Sequence, residues 1–363
     1  ASNAAAGRLG QGLWDGAFFW PVPGALALTE PLLVPAMVAA PLGLAGFPFA
    51  AYNLTLLLGV AATACASYAL CHWLTEQAGA PDRSAAAIAA FAATWSSFRW
   101  TQIDHLQFLF APFAPLLILF LLRYALQPNR RDALGFAIAG LGQALTCLYN
   151  AMFLAATLPV VAVGAAIWQR RSLDARAVAR FAAPLAVAAA IAALVLAPYA
   201  RVHRDQGVER DLAQVMNESG EFQQLAFADM LQKPMGKLLP DKVKWDSANY
   251  PGLFAIALPL LLLAWCAWRR RRPPVGFALL VLFGAWALAL FFGPYVKLDF
   301  KPIFRGPYHL FWDHVPGFEG IRAVRRIAGL FSLGFCAAAA PALALLARGR
   351  ARPVLLASSA ALV

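Results

Sequence analysis

ALGFAIAGLGQALTCLYNAMFLAATLPVVAVGAAIW, residues 133–168, runs for 36 residues without one Asp, Glu, Lys or Arg. A helix needs roughly 20 apolar residues to cross the hydrocarbon core of a bilayer. The run is too long for one crossing and fits two. Tyr149 and Asn150 sit near its middle and mark the tight turn between them, Asn being a natural turn residue. Backbone groups in lipid must be hydrogen-bonded internally, and Ala/Leu-rich runs of this length predict helices rather than strands.

The same pattern repeats on both sides. Of the 363 residues, 61% are hydrophobic and 13% charged, and mean hydropathy is +0.63. A soluble domain carries about 25% charged residues. Apolar spans are predicted at about 51–73, 84–98, 105–123, 132–147, 149–168, 179–198, 252–268, 275–293 and 323–346, with another starting near 353. Pro112 and Pro115 predict a kink in the third. Residues 31–48 are broken by Pro31, Pro35, Pro41 and Pro48, which suits a re-entrant or interfacial pair of short helices. The fold class is therefore all-α: one polytopic transmembrane helical bundle over residues 1–363, with ten or eleven membrane segments. The opening ASNAAAGRLG lacks the apolar core of a signal peptide, and the chain stops inside VLLASSAALV. The expectation is a fragment, with spans missing at one or both ends.

Charge sorts the loops. Those around residues 83, 123–131, 170–180, 269–272 and 348–352 hold 15 Lys/Arg against four acids, Glu76, Asp82, Asp132 and Asp174. The opposite side holds 15 against 14. The positive-inside tendency makes the first face cytoplasmic. Residues 1–30, 99–104, 148–150, 199–251 and 294–322 are then extracytoplasmic. The net charge of +12 is a topology signal, and no nucleic-acid partner is expected. Cys65, Cys71, Cys147, Cys266 and Cys336 all lie in apolar runs without metal-like spacing, and read as small core residues.

The polar residues worth weighing gather on the extracytoplasmic side. In LWDGAFFWPVPGALALTEP (13–31), Asp15 and Glu30 flank an aromatic–proline cluster containing Trp20. They read either as a membrane-surface loop with a helix start, or as carboxylates that act as general base. In FRWTQIDHLQF (98–108), Arg99 reads as a snorkelling anchor or a cavity wall. Asp104 reads as an N-cap or, with His105, as a proton relay. Tyr149 and Asn150 make a turn and can line a cavity. The loop 199–251 predicts an amphipathic helix in its first part, with Val202, Leu212, Val215 and Met216 as a partial stripe. In GPYHLFWDHVPGFEGIRAVRRIAGLF (306–331), Arg322, Arg325 and Arg326 stand at the outer entrance of a span, against the positive-inside trend. Their planar forks suit phosphate oxygens, and snorkelling is the structural alternative. His309 and His314 have no third ligand at a recognised spacing, so no metal site is assigned. No nucleophile-elbow, phosphate-loop or zinc-protease motif occurs.

WDGAFFWPVPGALALTEPLL, AYNLTLLLG, SSFRWTQIDHLQFLFAPFAPLLILFLLR, LYNAMF and PGFEGIRAVRRIA together resemble bacterial proteins of the C-type (GT-C) glycosyltransferase superfamily, over most of the chain. The resemblance implies a multi-pass protein of the bacterial inner membrane with its active face extracytoplasmic. It implies transfer of a hexosyl or pentosyl group, with inversion, from a polyprenyl-phosphate-linked donor. The acceptor would be an envelope glycan, lipid or protein. A carboxylate of the first outer loop would be the base, for which Glu30 is the first choice, then Asp15, with Asp104 and His105 as a relay. Arg322, Arg325 and Arg326 would bind the lipid phosphate, while Trp20, Arg99, Tyr149, Asn150 and His309 line the cavity. The resemblance fixes no cofactor and admits a divalent cation. The family's first helix, and the acid usually found just after it, are expected before Ala1. Two further readings stand beside it: a transporter or lipid flippase, and a non-catalytic assembly protein of an envelope polysaccharide.

Overall fold

The computed structural model describes residues 24–169, 174–206, 210–226, 249–298, 301–347 and 356–357. Asp15, Trp20, most of the first outer loop, part of the loop 199–251 and most of the segment starting near 353 lie outside these residues. Ten helices form the frame. They are α1 (Leu33–Leu44), α2 (Pro48–Gln77), α3 (Arg83–Thr94), α4 (Phe113–Leu126), α5 (Arg130–Thr146), α6 (Leu148–Gln169), α7 (Ala175–Gln206), α8 (Leu253–Trp268), α9 (Val275–Phe291) and α10 (Ala328–Leu346). Local chemistry sets their starts. The Asp82 carboxylate accepts from the Ser84 and Ala85 N–H groups at 2.9 and 3.1 Å to cap α3. Asn129 accepts from Asp132 N at 2.9 Å to cap α5.

Among the described residues, five stretches are long and apolar enough to cross a membrane: Pro48–Gln77, Leu106–Leu126, Leu148–Gln169, Ala175–Val202 and Val324–Leu346. Leu33–Leu44, Leu253–Trp268 and Val275–Phe291 are apolar but shorter. The fold is a bundle of apolar helices, with fewer full-length spans than the ten or eleven segments read from hydropathy. The stretch 84–98 yields only the 12-residue α3, which ends at Thr94 before the short helix Ser97–Thr101. Pro112 is the N-cap residue of α4 and Pro115 lies in its first turn, so these prolines start a helix instead of kinking one. Residues 31–48 give one helix, α1, not a pair; its 12 residues span about 18 Å, short of the hydrocarbon thickness.

Helix α10 is the centre. Fifteen of its 19 residues are buried, and it packs on α2, α3, α8 and α9. Its AAAAPALA segment is smooth, which suits a membrane bundle, where close van der Waals packing replaces the hydrophobic drive between helices. At the crossing with α9 the backbones nearly touch: a Cβ on Gly334 would lie 3.0 Å from the Gly284 Cα and 2.9 Å from the Phe283 ring.

Ion pairs collect towards the two ends of the bundle among the described residues. At one end Arg123 Nε pairs with Asp132 at 3.0 Å, and Gln169 Nε2 donates to the Ala125 carbonyl at 2.9 Å. This end carries the Arg-rich loops. At the other, α7 continues as one helix to Gln206, and Asp211 then caps the separate short helix Leu212–Asn217. Residues 294–322, read as loop, contain a hairpin of β1 (Tyr295–Leu298) and β2 (Lys301–Arg305) and the helix Tyr308–His314. Tyr295 faces Arg305 and Val296 faces Phe304, with a register shift after Val296. Lys297 is thereby turned inward, where its ammonium meets Glu221 at 3.2 Å and donates to the Met216 and Ser219 carbonyls. Burial pulls the Lys297 ammonium below the ordinary lysine range, and its bond to Glu221 acts the other way.

Candidate functional site

At the second end, segments distant in sequence meet. The approach to Glu30 is fixed by Tyr199, whose hydroxyl donates to the Thr29 carbonyl at 2.6 Å. Just beyond it, Leu32 adopts φ 48°, ψ 24°. That left-handed conformation is costly for a branched side chain. The Leu32 N–H donates to the Thr146 carbonyl at 3.3 Å, so the tight turn brings the Glu30 carboxyl onto the elbow between α5 and α6. There Glu30 Oε2 accepts from Leu148 N at 2.6 Å and Oε1 from Tyr149 N at 3.4 Å. Glu30 therefore caps α6 from 118 residues away. Desolvation raises its pKa to about 7, against the pull of these N–H groups, Cys147 and the positive charge of Arg326. An acid in that range changes charge near neutral pH, as a general base needs.

Arg326 sits in the turn Val324–Ile327 that leads into α10. Its guanidinium carbon lies 5.1 Å from the Phe108 ring centroid and 5.7 Å from that of Tyr149, within cation–π range. Its Nη2 is 3.1 Å from His105 Nε2. Arginine only donates, so Nε2 must accept, and the imidazole proton sits on Nδ1. That nitrogen donates to Asp104 Oδ1 at 2.6 Å. Asp104 thus orients His105, which orients Arg326. Asp104 does not cap a helix: the N-cap residue of Leu106–Leu109 is His105, with no side-chain cap. The Tyr149 hydroxyl accepts from the backbone N–H of Arg322 at 3.3 Å, and Arg322 is exposed. Glu30, Asp104, His105, Tyr149, Arg322 and Arg326 are joined through direct contacts.

The remaining candidates fall elsewhere. Arg99 is buried behind Phe108, donating to the Phe108 and Leu109 carbonyls at 3.0 and 3.4 Å, and desolvation lowers its pKa to about 10. It supports the wall from behind. Asn150 is buried next to Tyr149, its N–H directed at Cys147 Sγ. His309 pairs with Asp313 at 2.6 Å on the helix Tyr308–His314, against the Tyr295 ring. Arg325 parts from its neighbour: its side chain meets Glu218 at 2.5 Å and its N–H donates to the Glu218 carbonyl at 3.3 Å. The three arginines therefore do three different things. Arg326 faces the cluster, Arg322 extends to its rim, and Arg325 is held in a mostly buried ion pair.

Sequence reasoning missed Phe108, the platform for Arg326, and Cys147, beside Glu30. An aromatic inside FRWTQIDHLQF and a cysteine directly before the turn were the available signals. Among the described residues, no three His, Cys, Asp or Glu side chains stand close enough to hold a metal ion. No protein-family model, curated protein or solved structure matches this chain.

Proposed function

We propose that this protein is a membrane glycosyltransferase that moves a sugar from a polyprenyl-phosphate-linked donor to an acceptor of the cell envelope, on the extracytoplasmic face. One observation carries the reading. A carboxylate with pKa about 7 and an aromatic-backed guanidinium meet at one end of the bundle, brought there by segments nearly 300 residues apart. Ionised Glu30 takes the proton of the acceptor hydroxyl. The hydroxyl oxygen forms its bond to the anomeric carbon as the bond from that carbon to the phosphate oxygen breaks, with inversion. The phosphate leaves with the bonding pair, and its charge is met by Arg326 and, at the rim, Arg322. His105, held by Asp104, is a positioning residue that keeps the Arg326 fork aimed. The sugar and the phosphate are both within reach of a bilayer-borne donor, because the cluster lies where the helices end.

A transporter or flippase would place paired ionisable groups near the middle of the spans. The described ion pairs lie at or near helix ends and in the connecting segments, which favours the transferase. The test is binding of undecaprenyl phosphate to the full-length protein in nanodiscs, read by native mass spectrometry. Arg326→Ala is expected to lower occupancy at least about tenfold, the loss of one charge-assisted hydrogen bond. Glu30→Gln is expected to bind as wild type. Equal binding by Arg326→Ala and wild type would sink the lipid-phosphate assignment.

A further inference from the structure

The turn Val324–Ile327 carries two consecutive arginines, and they go to different places. Its winding is that of a 3₁₀ helix, about three residues per turn, so neighbouring side chains leave it roughly 120° apart. Arg325 and Arg326 therefore cannot face the same group, and pinning one decides where the other points. Glu218 holds Arg325 at two places. Its carboxylate accepts from Arg325 Nη1 at 2.5 Å, and its carbonyl accepts from the Arg325 N–H at 3.3 Å. Glu218 is itself anchored. It closes the short helix Leu212–Asn217, its N–H donating to the Gln214 carbonyl at 3.1 Å. Two residues on, the Gly220 N–H donates at 2.9 Å to the carbonyl of Phe291, the last residue of α9. The contact is close: a Cβ on Gly220 would lie 2.1 Å from the Phe291 ring. Glu221, 3% exposed, then meets Lys297, 2% exposed, whose ammonium also donates to the Met216 carbonyl. Residues 216–221 are thus fastened to α9, to β1 and to the turn that leads into α10.

Buried ion pairs contribute little net stability, because desolvation offsets their attraction, and their best-attested use is to fix one register among several. Two such pairs lie within four residues here, at Glu218 and Glu221, and what they fix is the turn. We infer that Glu218 is a positioning residue for the phosphate site. By holding Arg325 it turns Arg326 onto Phe108, Tyr149 and His105, and the strap 216–221 is the rigid base from which it does so. His105 supports the far end of the Arg326 side chain, Nη2 to Nε2 at 3.1 Å. Glu218 supports the backbone from which that side chain starts. Of the two adjacent planar forks, either of which suits phosphate oxygens, Glu218 takes one out of reach and leaves the other. The inference rests on the reading of Arg326 as the group that meets the phosphate.

The experiment uses the full chain in nanodiscs, isotope-labelled at the guanidinium carbon of arginine and the ring nitrogens of histidine. Solid-state NMR reads the dipolar contact between Arg326 and His105, assigned by its loss in His105→Gln. The contact is expected in the wild type and in Arg325→Lys, which keeps the ion pair. It should vanish in Arg325→Met/Glu218→Leu, whose apolar residues of similar volume leave such a site folded. Glu218→Gln, a single change that keeps the side-chain volume, should weaken it. A contact of wild-type strength in either variant that lacks the Glu218 charge overturns the inference, because the pair then holds the fold without aiming Arg326. Binding of undecaprenyl phosphate by the same variants is read separately. The double variant is expected to lose about tenfold in occupancy, the worth of one charge-assisted hydrogen bond. A lost contact with unchanged occupancy supports the clamp and overturns the phosphate reading of Arg326, so the two fail separately.

Discussion

At the residue scale, Glu30 does two jobs that pull in opposite directions. As the cap of α6 it favours the charged form, while its burial favours the neutral one, and burial prevails. Because the folded-state pKa lies above the ordinary value of 4.5, the folded state binds the proton more tightly than the unfolded chain. Its stabilising contribution is fully present below pH 4.5 and is lost as pH rises to about 7. The swing amounts to about 3 kcal/mol at most. Glu30→Gln is expected to flatten the dependence of thermal unfolding on pH across that window. Transfer should rise with pH through the same window in the wild type and vanish in the variant; a wild-type profile flat from pH 5 to about 8 would remove Glu30 as base. Adjacent arginines give a sharper contrast. Arg325→Ala strands Glu218 in a mostly buried site and should cost roughly 2–4 kcal/mol of stability, largely recovered in Arg325→Ala/Glu218→Ala. Arg326→Ala should leave the melting temperature nearly unchanged while lipid-phosphate binding falls. That the two neighbours differ was invisible in the sequence, where GIRAVRRIA offers three equivalent cations.

Elements behave according to how much local chemistry they carry. The helices with a capping Asp or Asn, α3 and α5, begin where their sequences say. That the run 133–168 must break was legible because no span can be 36 residues long, but the break falls at Cys147, between the end of α5 at Thr146 and the start of α6 at Leu148, so Tyr149 and Asn150, expected to form the turn, lie in the first turn of α6. Hydropathy alone misjudged lengths. It cannot distinguish a 12-residue apolar helix packed among others from a full crossing, so α3 was read as a span. The hairpin β1–β2 was missed because Pro302 and scattered charges hide its alternation, and its register depends on Lys297 finding Glu221 across the chain. The α9–α10 crossing depends on two glycines. Gly334→Val should destabilise the bundle by at least about 2 kcal/mol through forced separation of the backbones, read as an earlier melting transition in detergent. A similar change at Gly140, whose Cβ would meet only Leu117 at 3.9 Å, should cost less.

For the whole molecule, the segregation of ion pairs towards two ends has a direct test. In otherwise cysteine-free protein, Glu319→Cys and Asp104→Cys should react with a membrane-impermeant maleimide from one side, and Arg270→Cys only from the other. Labelling of all three from the same side would overturn the topology. By itself the sequence determined that this is a bundle of apolar helices and where along the chain its charged residues gather; that Glu30, His105, Tyr149 and the Arg322–Arg326 segment share one side was an expectation drawn from charge. The first two are properties of composition and spacing, which lipid enforces on any chain. Only the tertiary structure decided which of those side chains meet. It turned Arg325 to Glu218 and Arg326 to His105, and set Glu30 on the N–H groups of a helix 118 residues away. Such pairings depend on where backbones cross and what each buried polar atom can reach, and neither distance nor burial is written in the order of residues.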